Sequence, residues 1–514
     1  MRIQLRLLTT LALLLLSGCG TTVDWDYPRT ASTAFARPET TTVGALFQEK
    51  ADQHPGQSGF SLIQEGSNAF TARLAMADLA EQTLDAQYYI WDVDTTGRIM
   101  AQRLIQAADR GVRVRLLLDD HYQTEAFDAG IAALDAHPNI EVRFFNPVAN
   151  RRWRTWSMIT DFGRVNHRMH NKLFIMDNAI GIAGGRNIAD VYFGVRPDQN
   201  FRDLDMVMAG PIVKDLSASF DLFWNSEWAI PVGAVVEKRA NAEDFQALKT
   251  RLAEHVAAAG YPYPIEERIA DLRARLTGIR DAFLWAAGRV LVENPSRVDE
   301  GTDDGGQVIK HAILEQLTEA RQEVLIESPY FILLDPGMTQ VRALTARGVK
   351  VRVLTNSAAT NDVLAAQAGY ANTRKELLAA GVALYELRPD SNMKREWSMV
   401  AGKSRASLHA KALVIDRKTV FIGSFNLDPR SKAINTEIGV IVESPELARQ
   451  LTAFMDDGVT PGSAFRLSLD PDGSLVWTLN TNGQNVQLDT DPQTTFWHRL
   501  MLDLVGLLPI EEQL

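Results

Sequence analysis

Two copies of one short polar motif are the residues of this sequence best suited to chemistry. Each copy reads His-x-Lys-x4-Asp, and the two copies are His170, Lys172 and Asp177, and His409, Lys411 and Asp416. Together they suit a phosphodiester substrate, because an ammonium group can neutralise the non-bridging oxygens as charge builds in the transition state. One imidazole can attack phosphorus while the other protonates the leaving oxygen. The paired motifs therefore predict phosphoryl-transfer chemistry.

A small polar loop follows each motif and adds neutral hydrogen-bond donors. The loops are Gly184-Gly185-Arg186-Asn187 and Gly423-Ser424-Phe425-Asn426. They can aim Asn187, or Ser424 and Asn426, at the same phosphate. The alternative is that the two histidines are core residues at strand ends. A metal site is disfavoured because the lysine of each motif would repel the cation.

The elements that must position these side chains are strands. Residues i and i+2 of a strand point to one face, so His170 and Lys172 project together, as do His409 and Lys411. Asp177 and Asp416 fall at the strand end, before a turn. The following strands, predicted at 179–183 and 419–422, return the chain to the glycine-containing loop.

The motifs belong to a longer duplication. Residues 108–117 match 345–354, each a helix end closed by glycine and followed by an alternating strand. Asp203 lies seven residues before Gly210, and Glu437 lies seven residues before Ser444. Order and spacing are nearly preserved between the two halves. Strands that alternate with helical stretches predict an α/β fold for each half.

These residues resemble the phospholipase D superfamily, over residues 43 to 455. The resemblance implies two tandem α/β/α-layered halves related by a pseudo-twofold axis, with one active site at their interface. It also implies a covalent phosphohistidine intermediate, with neither a metal nor another cofactor. His170 would be the nucleophile and His409 the general acid, although the sequence alone does not decide between them.

The resemblance assigns roles to the remaining polar residues. Phosphate would be held by Lys172, Lys411, Asn187, Ser424 and Asn426. Asp203 and Glu437 would orient the histidines from behind. Asp177 and Asp416 are interpreted as structural or electrostatic supports of the catalytic motif. Gly185 departs from the family pattern, which has serine there, so the first half is expected to grip phosphate less completely.

Several blocks are similar to bacterial cardiolipin synthases, particularly the C type. They include 87–91, 159–162, 168–172, 184–188 and 507–511. The similarity implies transfer of a phosphatidyl group to phosphatidylglycerol from a second phosphatidylglycerol or from phosphatidylethanolamine. The alternatives are a hydrolytic phospholipase D, a periplasmic phosphodiesterase or nuclease, and an inactive envelope scaffold. The sequence identifies no accessory protein.

The N-terminal residues resemble the signal of a bacterial lipoprotein. Arg2 and Arg6 precede an apolar run at 7–16, which is too short to span a bilayer. Cys19, the only cysteine, follows at the position that lipidation requires. We expect residues 1–18 to be a signal peptide and Cys19 to carry a lipid anchor in the periplasm-facing cell envelope, with Gly20 favouring the outer membrane. An ordinary signal peptide is the alternative.

Composition bounds the remaining possibilities. The 514 residues are 46% hydrophobic and 23% charged, which excludes wholesale disorder. The formal net charge of −11 argues against a nucleic-acid-binding coat protein. The predicted units are a tether at 19–42, a first half at 43–228, a helical connector at 229–300, a second half at 301–455 and a tail at 456–514.

Phospholipids and a membrane surface are the predicted partners. Arg151 to Trp156 interleaves cations with aromatic residues, and residues 393–397 have a similar character. Apolar residues in the tail, from Phe496 to Leu508, recur at helical spacing. This amphipathic helix is predicted either to lie on lipid or to cap the core, and the Arg-Trp segment is alternatively a solvated loop.

Overall fold

The computed structural model describes most of the chain from residue 23 to residue 508. The described ranges are 23–121, 124–149, 151, 154, 160–236, 239–259, 261, 269–300, 307–391, 405–481 and 484–508. The predicted signal peptide and its cysteine, Cys19, lie outside the described residues. So do Trp153, Trp156 and residues 393–397 of the two predicted membrane-contacting segments.

The first half alternates strands and helices, as its hydrophobic pattern predicts. Its strands are β1 (Ser58–Ile63), β2 (Thr83–Tyr88), β3 (Arg113–Asp119), β4 (Ile140–Phe145), β5 (Leu173–Met176), β6 (Ile180–Gly184), β7 (Gln199–Arg202), β8 (Asp205–Ala209) and β9 (Ala229–Pro231). Its helices are α1 (Thr42–Asp52), α2 (Gly66–Leu79), α3 (Thr95–Asp109), α4 (Glu125–Asp135), α5 (Phe162–Val165) and α6 (Ile212–Trp224). Short 3-10 turns lie at Pro38–Thr40, Asp190–Tyr192 and Val232–Ala234.

The second half repeats this order after a connecting segment. The connecting segment contains α7 (Ala242–Ala258), α8 (Ile269–Asp281), β10 (Leu284–Val292) and α9 (Arg297–Glu300). The helices that follow are α10 (Val308–Glu319), α11 (Asp335–Ala346), α12 (Leu364–Ala379), α13 (Pro429–Ala433), α14 (Pro445–Gly458) and α15 (Phe496–Gly506). The strands are β11 (Glu323–Glu327), β12 (Lys350–Asn356), β13 (Ala383–Leu387), β14 (Arg405–Leu408), β15 (Ala412–Ile415), β16 (Thr419–Gly423), β17 (Ile438–Glu443), β18 (Ala464–Leu469), β19 (Leu475–Thr481) and β20 (Gln484–Leu488).

Local sequence explains where the repeated elements begin and end. The Asp94 side chain accepts the Gly97 N–H at the start of α3, and the Ser444 side chain accepts the Leu447 N–H at the start of α14. Gly111 and Gly348 follow α3 and α11 with φ values of 96° and 82°. Glycine adopts this left-handed conformation without strain, so both glycines of the sequence duplication close a helix and lead into a strand.

The two halves form one continuous mixed sheet. In the first half, parallel strands β2, β3 and β4 lie beside the antiparallel run β5, β6, β8 and β1. Strands β11, β12 and β13 with β15, β16 and β17 repeat this arrangement in the second half. Strand β10 pairs with β1 through residues 284–286 and with β17 through residues 287–292. The predicted α/β class and two-half architecture are therefore confirmed.

A shared hydrophobic core holds the halves together. Helix α6 contributes Phe220 and Trp224 to this core, and α14 contributes Leu451 and Phe454 from the other half. Each half also has its own core on the outer face of its sheet. Burial of apolar surface is the dominant favourable term in folding, so the shared core fixes the relative position of the halves and of any site between them.

Residues 23–41 differ from the predicted tether because they pack against the first half. The indole of Trp25 lies 5.6 Å from that of Trp228 in an edge-to-face contact. Arg115 and Arg143, on β3 and β4, donate to the carbonyl oxygens of Ser32 and Thr30 at 2.9 and 2.8 Å. The Thr- and Pro-rich composition suggested a linker, but buried arginines of the sheet bind this segment through its backbone.

The connecting segment and the tail also differ from their predicted character. The connector at 229–300 is predicted to be helical, but Trp285 within it lies in β10, the strand that joins the two halves. The tail begins with β18, which pairs with β13, and β19 and β20 extend the same sheet. Both segments therefore contribute strands to the main sheet. Among the described residues, no helix combines the length and the apolarity that crossing a bilayer requires.

Candidate active site

Reciprocal backbone contacts between the halves bring the two histidine motifs together. The backbone N–H of His170 donates to the Thr436 carbonyl of the second half at 2.9 Å. The backbone N–H of His409 donates to the Arg202 carbonyl of the first half at 2.8 Å. Strands β7 and β14 pair in parallel immediately before His409 and form a small sheet of their own. Each histidine is thus held by the opposite half.

Each acidic residue of the duplication contacts the histidine of the opposite half. Glu437 Oε2 lies 2.9 Å from His170 Nδ1, and Asp203 Oδ2 lies 2.6 Å from His409 Nδ1. All four side chains are buried. A carboxylate on Nδ1 favours the tautomer that carries its proton there, which leaves Nε2 available for reaction. The geometry therefore supports two imidazoles that react through Nε2.

The two carboxyl groups have different electrostatic environments. Burial raises the pKa of Glu437 to about 7 despite the opposing charge of Lys172. Asp203 is also buried, but the charge of His409 and its hydrogen bond outweigh burial and lower the pKa of Asp203 to about 2. Asp203 is consequently ionised at neutral pH, whereas Glu437 is close to its titration midpoint. An ionised carboxylate stabilises an imidazolium better than a neutral carboxyl does.

Burial also shifts the pKa values of the two motif histidines. Burial and the charge of Lys411 lower the pKa of His409 to about 4, against the pull of Asp203. Burial, with Lys172 and Lys411, lowers the pKa of His170 well below its ordinary value. Both imidazoles are therefore neutral before an anion binds. The negative charge of a bound phosphodiester would raise both pKa values.

The lysines lie in the same buried centre. Lys172 Nζ donates to the His170 carbonyl at 2.5 Å, and Lys411 Nζ donates to the His409 carbonyl at 2.6 Å. Burial lowers the pKa of Lys411 to about 8, although Asp203 and Glu437 oppose this effect. Burial lowers the pKa of Lys172 in the same direction. Cations that lack full compensation in a buried site attract an anionic ligand.

The three neutral residues predicted to bind phosphate have different surroundings. Asn187 donates from Nδ2 to the Tyr192 hydroxyl at 2.9 Å and accepts the Ile90 N–H at 3.0 Å. Asn426 Oδ1 is buried and has no hydrogen-bond partner among the described residues. Ser424 donates its hydroxyl to Glu437 and accepts the Ile438 N–H at 3.0 Å. Ser424 is therefore committed to the carboxyl behind His170.

Gly185, where the second half has Ser424, is explained by Asp203. A Cβ atom at position 185 would lie 2.1 Å from Asp203 Oδ1, which is far inside van der Waals contact. Aspartate is one methylene shorter than Glu437, and its carboxylate occupies the space that the serine side chain fills in the other half. The corresponding hydroxyl of Ser424 binds a carboxyl group, and the weaker phosphate binding expected of the first half stays a prediction.

The motif aspartates lie at the far end of their strands from the histidines. Asp177 accepts the backbone N–H groups of residues 81, 82 and 83 at 3.0, 2.8 and 2.7 Å. Asp416 accepts those of residues 321, 322 and 323 at 2.8, 2.7 and 3.0 Å. Both aspartates have φ values near 50°, in the tight turns that follow β5 and β15. Through these contacts they join the motif strand to the neighbouring strand.

Aromatic and cationic neighbours that the motifs did not reveal complete the centre. Tyr89 lies 5.0 Å from the rings of both His170 and His121. Phe201 and Tyr192 each lie 5.0 Å from the His409 ring. Arg430, which donates to Asn166 Oδ1 at 2.7 Å, helps to lower the pKa of His170. The sequence feature that could have predicted Tyr89 as a site residue is its position directly after a buried strand of the repeat.

The described arginines of the predicted Arg-Trp membrane segment are turned towards carboxylates. Arg151 lies 2.6 Å from Asp128, and Arg154 lies 2.9 Å from Asp120. Their side chains are only 9% and 19% exposed. These two cations are therefore engaged in ion pairs within the first half. Within the described ranges, no group of three or more His, Cys, Asp or Glu side chains is placed to hold a metal ion.

The sequence matches a known family model and is similar to characterised proteins. The family model described as "Cardiolipin synthase, PLD-like domain" matches residues 74–224 and 313–457. Cardiolipin synthase C of Escherichia coli (strain K12) is 39% identical over 89% of this chain and 97% of its own length. A cardiolipin synthase of Geobacillus kaustophilus (strain HTA426) is 25% identical over 79% of this chain and 67% of its own length.

A solved structure is similar in fold. The crystal structure of a phosphatidylserine synthase from Haemophilus influenzae Rd KW20 aligns with a TM-score of 0.54 at 14% sequence identity. The alignment covers 81% of this chain and 91% of the other. At this identity the likeness concerns the fold alone.

Proposed function

Because this chain belongs to the cardiolipin synthase family with phospholipase D-like domains, we propose that it makes cardiolipin by phosphatidyl transfer. The acceptor is the terminal glycerol of phosphatidylglycerol, and the donor is phosphatidylglycerol or phosphatidylethanolamine. The observation that carries this proposal is the pair of buried histidines whose Nδ1 atoms meet carboxyl groups of the opposite half. In this proposal one phosphodiester binds between the two imidazoles, with Lys172 and Lys411 beside it.

In the first step, His170 Nε2 attacks the donor phosphorus and forms a P–N bond. The P–O bond to the donor head-group alcohol breaks, and His409 supplies the proton that this alcohol takes. The ionised carboxylate of Asp203 supports His409 as the acid, because it stabilises the imidazolium form. Glu437, with its raised pKa, leaves His170 neutral and nucleophilic.

In the second step, the hydroxyl of phosphatidylglycerol replaces the histidine. His409, now neutral, takes the proton of this hydroxyl, the new P–O bond forms and the P–N bond breaks. Lys172 and Lys411 neutralise the non-bridging oxygens in both steps. In this proposal Asn187 and Asn426, whose buried Oδ1 has no hydrogen-bond partner among the described residues, complete the polar lining of the centre. Ser424 acts through Glu437.

Membrane contact is the second part of the proposal. Helix α15 packs on α12 through Leu502, which is 6% exposed, and through the partly buried Val505, whereas most of its other apolar side chains and those of the two residues after it are exposed. The exposed residues are Phe496, Trp497, Met501, Leu504, Leu507 and Leu508. Trp497 is 71% exposed and Leu507 80% exposed. This face suits the interfacial region of a phospholipid bilayer, where aromatic and aliphatic side chains insert.

The location proposed for the protein is the periplasm-facing cell envelope. The lipobox-like residues 16–19 support lipidation at Cys19, and Gly20 supports outer-membrane sorting. Burial of an acyl chain gains about 0.8 kcal/mol per methylene, and because one chain alone holds a protein only marginally, stable anchoring needs a second chain or a second membrane contact. Anchor and helix together would keep the active site near its lipid substrates. Mass spectrometry of the protein extracted from cell envelopes tests the lipid on Cys19, and an unmodified cysteine would contradict it.

A single lipid assay tests the proposed reaction. Purified protein is incubated with phosphatidylglycerol vesicles, with and without phosphatidylethanolamine, and the products are resolved by lipid mass spectrometry. We expect cardiolipin with the wild type and none with His170→Ala or His409→Ala. Phosphatidic acid without cardiolipin would overturn the synthase proposal in favour of hydrolysis. Cleavage of DNA in a parallel reaction would instead indicate a nuclease.

A further inference from the structure

A cavity of about 570 Å³ lies between the two halves beside helix α13. The first half contributes the segment from Phe162 to His167, and the second half contributes parts of α10, α11 and α13. Much of its wall is apolar, and that part includes Phe162, Leu314, Leu334, Pro336 and Ile434. Its volume is in the range of pockets that hold organic ligands.

Two lysines give the cavity a positive end. Lys310 and Lys432 both line it, and each charge acts on the other. Burial lowers the pKa of Lys432, Lys310 lowers it further, and Asp428 opposes them. Among the described residues, no carboxylate oxygen lies within ion-pair distance of either lysine, while Lys310 donates to the neutral Gln307 amide. Two neighbouring ammonium groups in an apolar wall are unfavourable unless an anion lies between them.

The cavity adjoins the catalytic centre through α13 and the segment before His170. Arg430 on α13 donates to Asn166, which lines the cavity, at 2.7 Å. The same arginine lowers the pKa of His170 in the centre and of His167 in the cavity wall. His167 Nδ1 contacts the Ile434 carbonyl at 3.0 Å, so the two halves meet along this wall.

The proposed reaction requires a second phosphate-binding site outside the histidine pair. Phosphatidyl transfer to phosphatidylglycerol brings two phosphates to the enzyme, but only one of them lies between the two histidines. The other phosphate does not react, although it carries a negative charge and is attached to acyl chains. It therefore needs a cationic contact and an apolar surface outside the histidine pair.

We propose that this cavity is a binding subsite for the acceptor phospholipid, with its non-reacting phosphate at Lys310 and Lys432 and an acyl chain along the apolar wall. This inference rests on the proposed phosphatidyl transfer. It assigns a ligand to residues that lie outside the His-Lys motifs. The phosphate is that of a lipid, so a soluble phosphodiester does not use the subsite.

Charge removal and steric filling provide two independent sets of variants. The double variant Lys310→Gln/Lys432→Gln removes the cations, and Lys350→Gln is the control because Lys350 is exposed on β12. Gly163→Leu fills the cavity, since a Cβ at position 163 meets no atom within 4 Å. Gly278→Leu is its control, because the helical Gly278 also has open space around it and lies elsewhere.

The kinetic readout separates the subsite from the chemistry. For both subsite variants we expect the KM for vesicle phosphatidylglycerol to rise by about tenfold or more, with hydrolysis of bis(p-nitrophenyl) phosphate changed by less than about twofold. The two controls should match the wild type. An unchanged KM in both subsite variants, or an equal loss on the soluble diester, would overturn the inference. Wild-type protein that makes no cardiolipin would instead overturn the proposed function.

Crosslinking tests lipid binding without turnover. A phosphatidylglycerol with a photoreactive acyl chain is bound to the inactive His170→Ala protein, irradiated and mapped by peptide mass spectrometry. We expect labels within residues 162–167 and 307–340 that are lost in the Lys310→Gln/Lys432→Gln background. Labels confined to other surfaces would contradict the subsite, whether or not the wild type makes cardiolipin.

Discussion

At the scale of single residues, the site depends on an exchange between the halves. Each histidine is fixed by the backbone of the opposite half and by a carboxyl group from it, so neither half contains a complete catalytic group. The sequence duplication predicts the histidines, lysines and acidic residues, because each occurs twice at matched spacing. It does not predict the crosswise pairing, which depends on long-range contacts such as those of Arg202 and Thr436.

Removing the charge behind one histidine should abolish most of the activity without unfolding the protein. In Asp203→Asn, the amide keeps the shape of the carboxyl but no longer stabilises the imidazolium form of His409. We expect kcat to fall by about 10²- to 10⁴-fold, as for the comparable change in a serine protease triad, with little change in KM. Asp198→Asn is the control, because Asp198 is an exposed residue paired with Arg196. A kcat within twofold of wild type would refute the orienting role.

The buried lysines predict an alkaline limit of activity. Lys411, with a pKa of about 8, carries its charge below that pH and loses it above, so phosphate binding should weaken as pH rises through 8. We expect kcat/KM for a soluble phosphodiester to fall above about pH 8. In Lys411→Arg the charge persists to higher pH, so the fall in kcat/KM should begin at a higher pH, even if kcat/KM itself is lower throughout. If kcat/KM fell at the same pH in both proteins, the titration of Lys411 would not be the cause of the fall.

At the scale of elements, the motif strand is fixed by its aspartate. The spacing predicts that Asp177 and Asp416 end a strand before a turn, which the structure reproduces. Their actual partners, three consecutive N–H groups before β2 or β11, could not be read from spacing because they are more than 90 residues away. Likewise, β10 could not be predicted as a strand from the local sequence, because it is defined by its pairing with strands from both halves.

Loss of this turn contact should reduce stability more than catalysis. Asp177→Ala leaves the N–H groups of residues 81–83 without their acceptor, and we expect the free energy of unfolding to fall by about 2–4 kcal/mol. Below the unfolding transition, kcat should stay within about threefold of wild type. Urea unfolding and lipid assays on the same preparation check both values, with Asp472→Ala in an exposed turn as the control. A collapse of kcat with unchanged stability would place Asp177 in the chemistry.

At the scale of the whole molecule, one sheet carries the site and presents a helix to the outside. The continuous sheet and the shared core fix the two histidines, and the tail extends this sheet as far as α15. Hydrophobic periodicity predicted this helix but not which face packs, since only the fold shows that Leu502 lies against α12. The exposed face is the part of the described molecule that best suits lipid.

Polar substitution on this face should reduce membrane binding alone. In Trp497→Ser/Met501→Ser/Leu504→Ser we expect at least about tenfold less cosedimentation with phosphatidylglycerol vesicles, because apolar side chains no longer enter the interface. The melting temperature should change by less than about 2 °C, since these side chains are exposed. Leu222→Ser, at another exposed apolar position, is the control. Equal vesicle binding by the triple variant would exclude α15 as the contact.

The central claim is that two halves build one reaction centre with a single covalent intermediate. It is tested by rapid quenching, in base, of the protein with phospholipid radiolabelled at phosphorus, followed by counting label per chain and mapping it to a residue. We expect a base-stable, acid-labile phosphorus label on His170, never more than one per chain, and no label in His170→Ala. Two labels per chain, or a label on another residue, would contradict a single site that the two halves share.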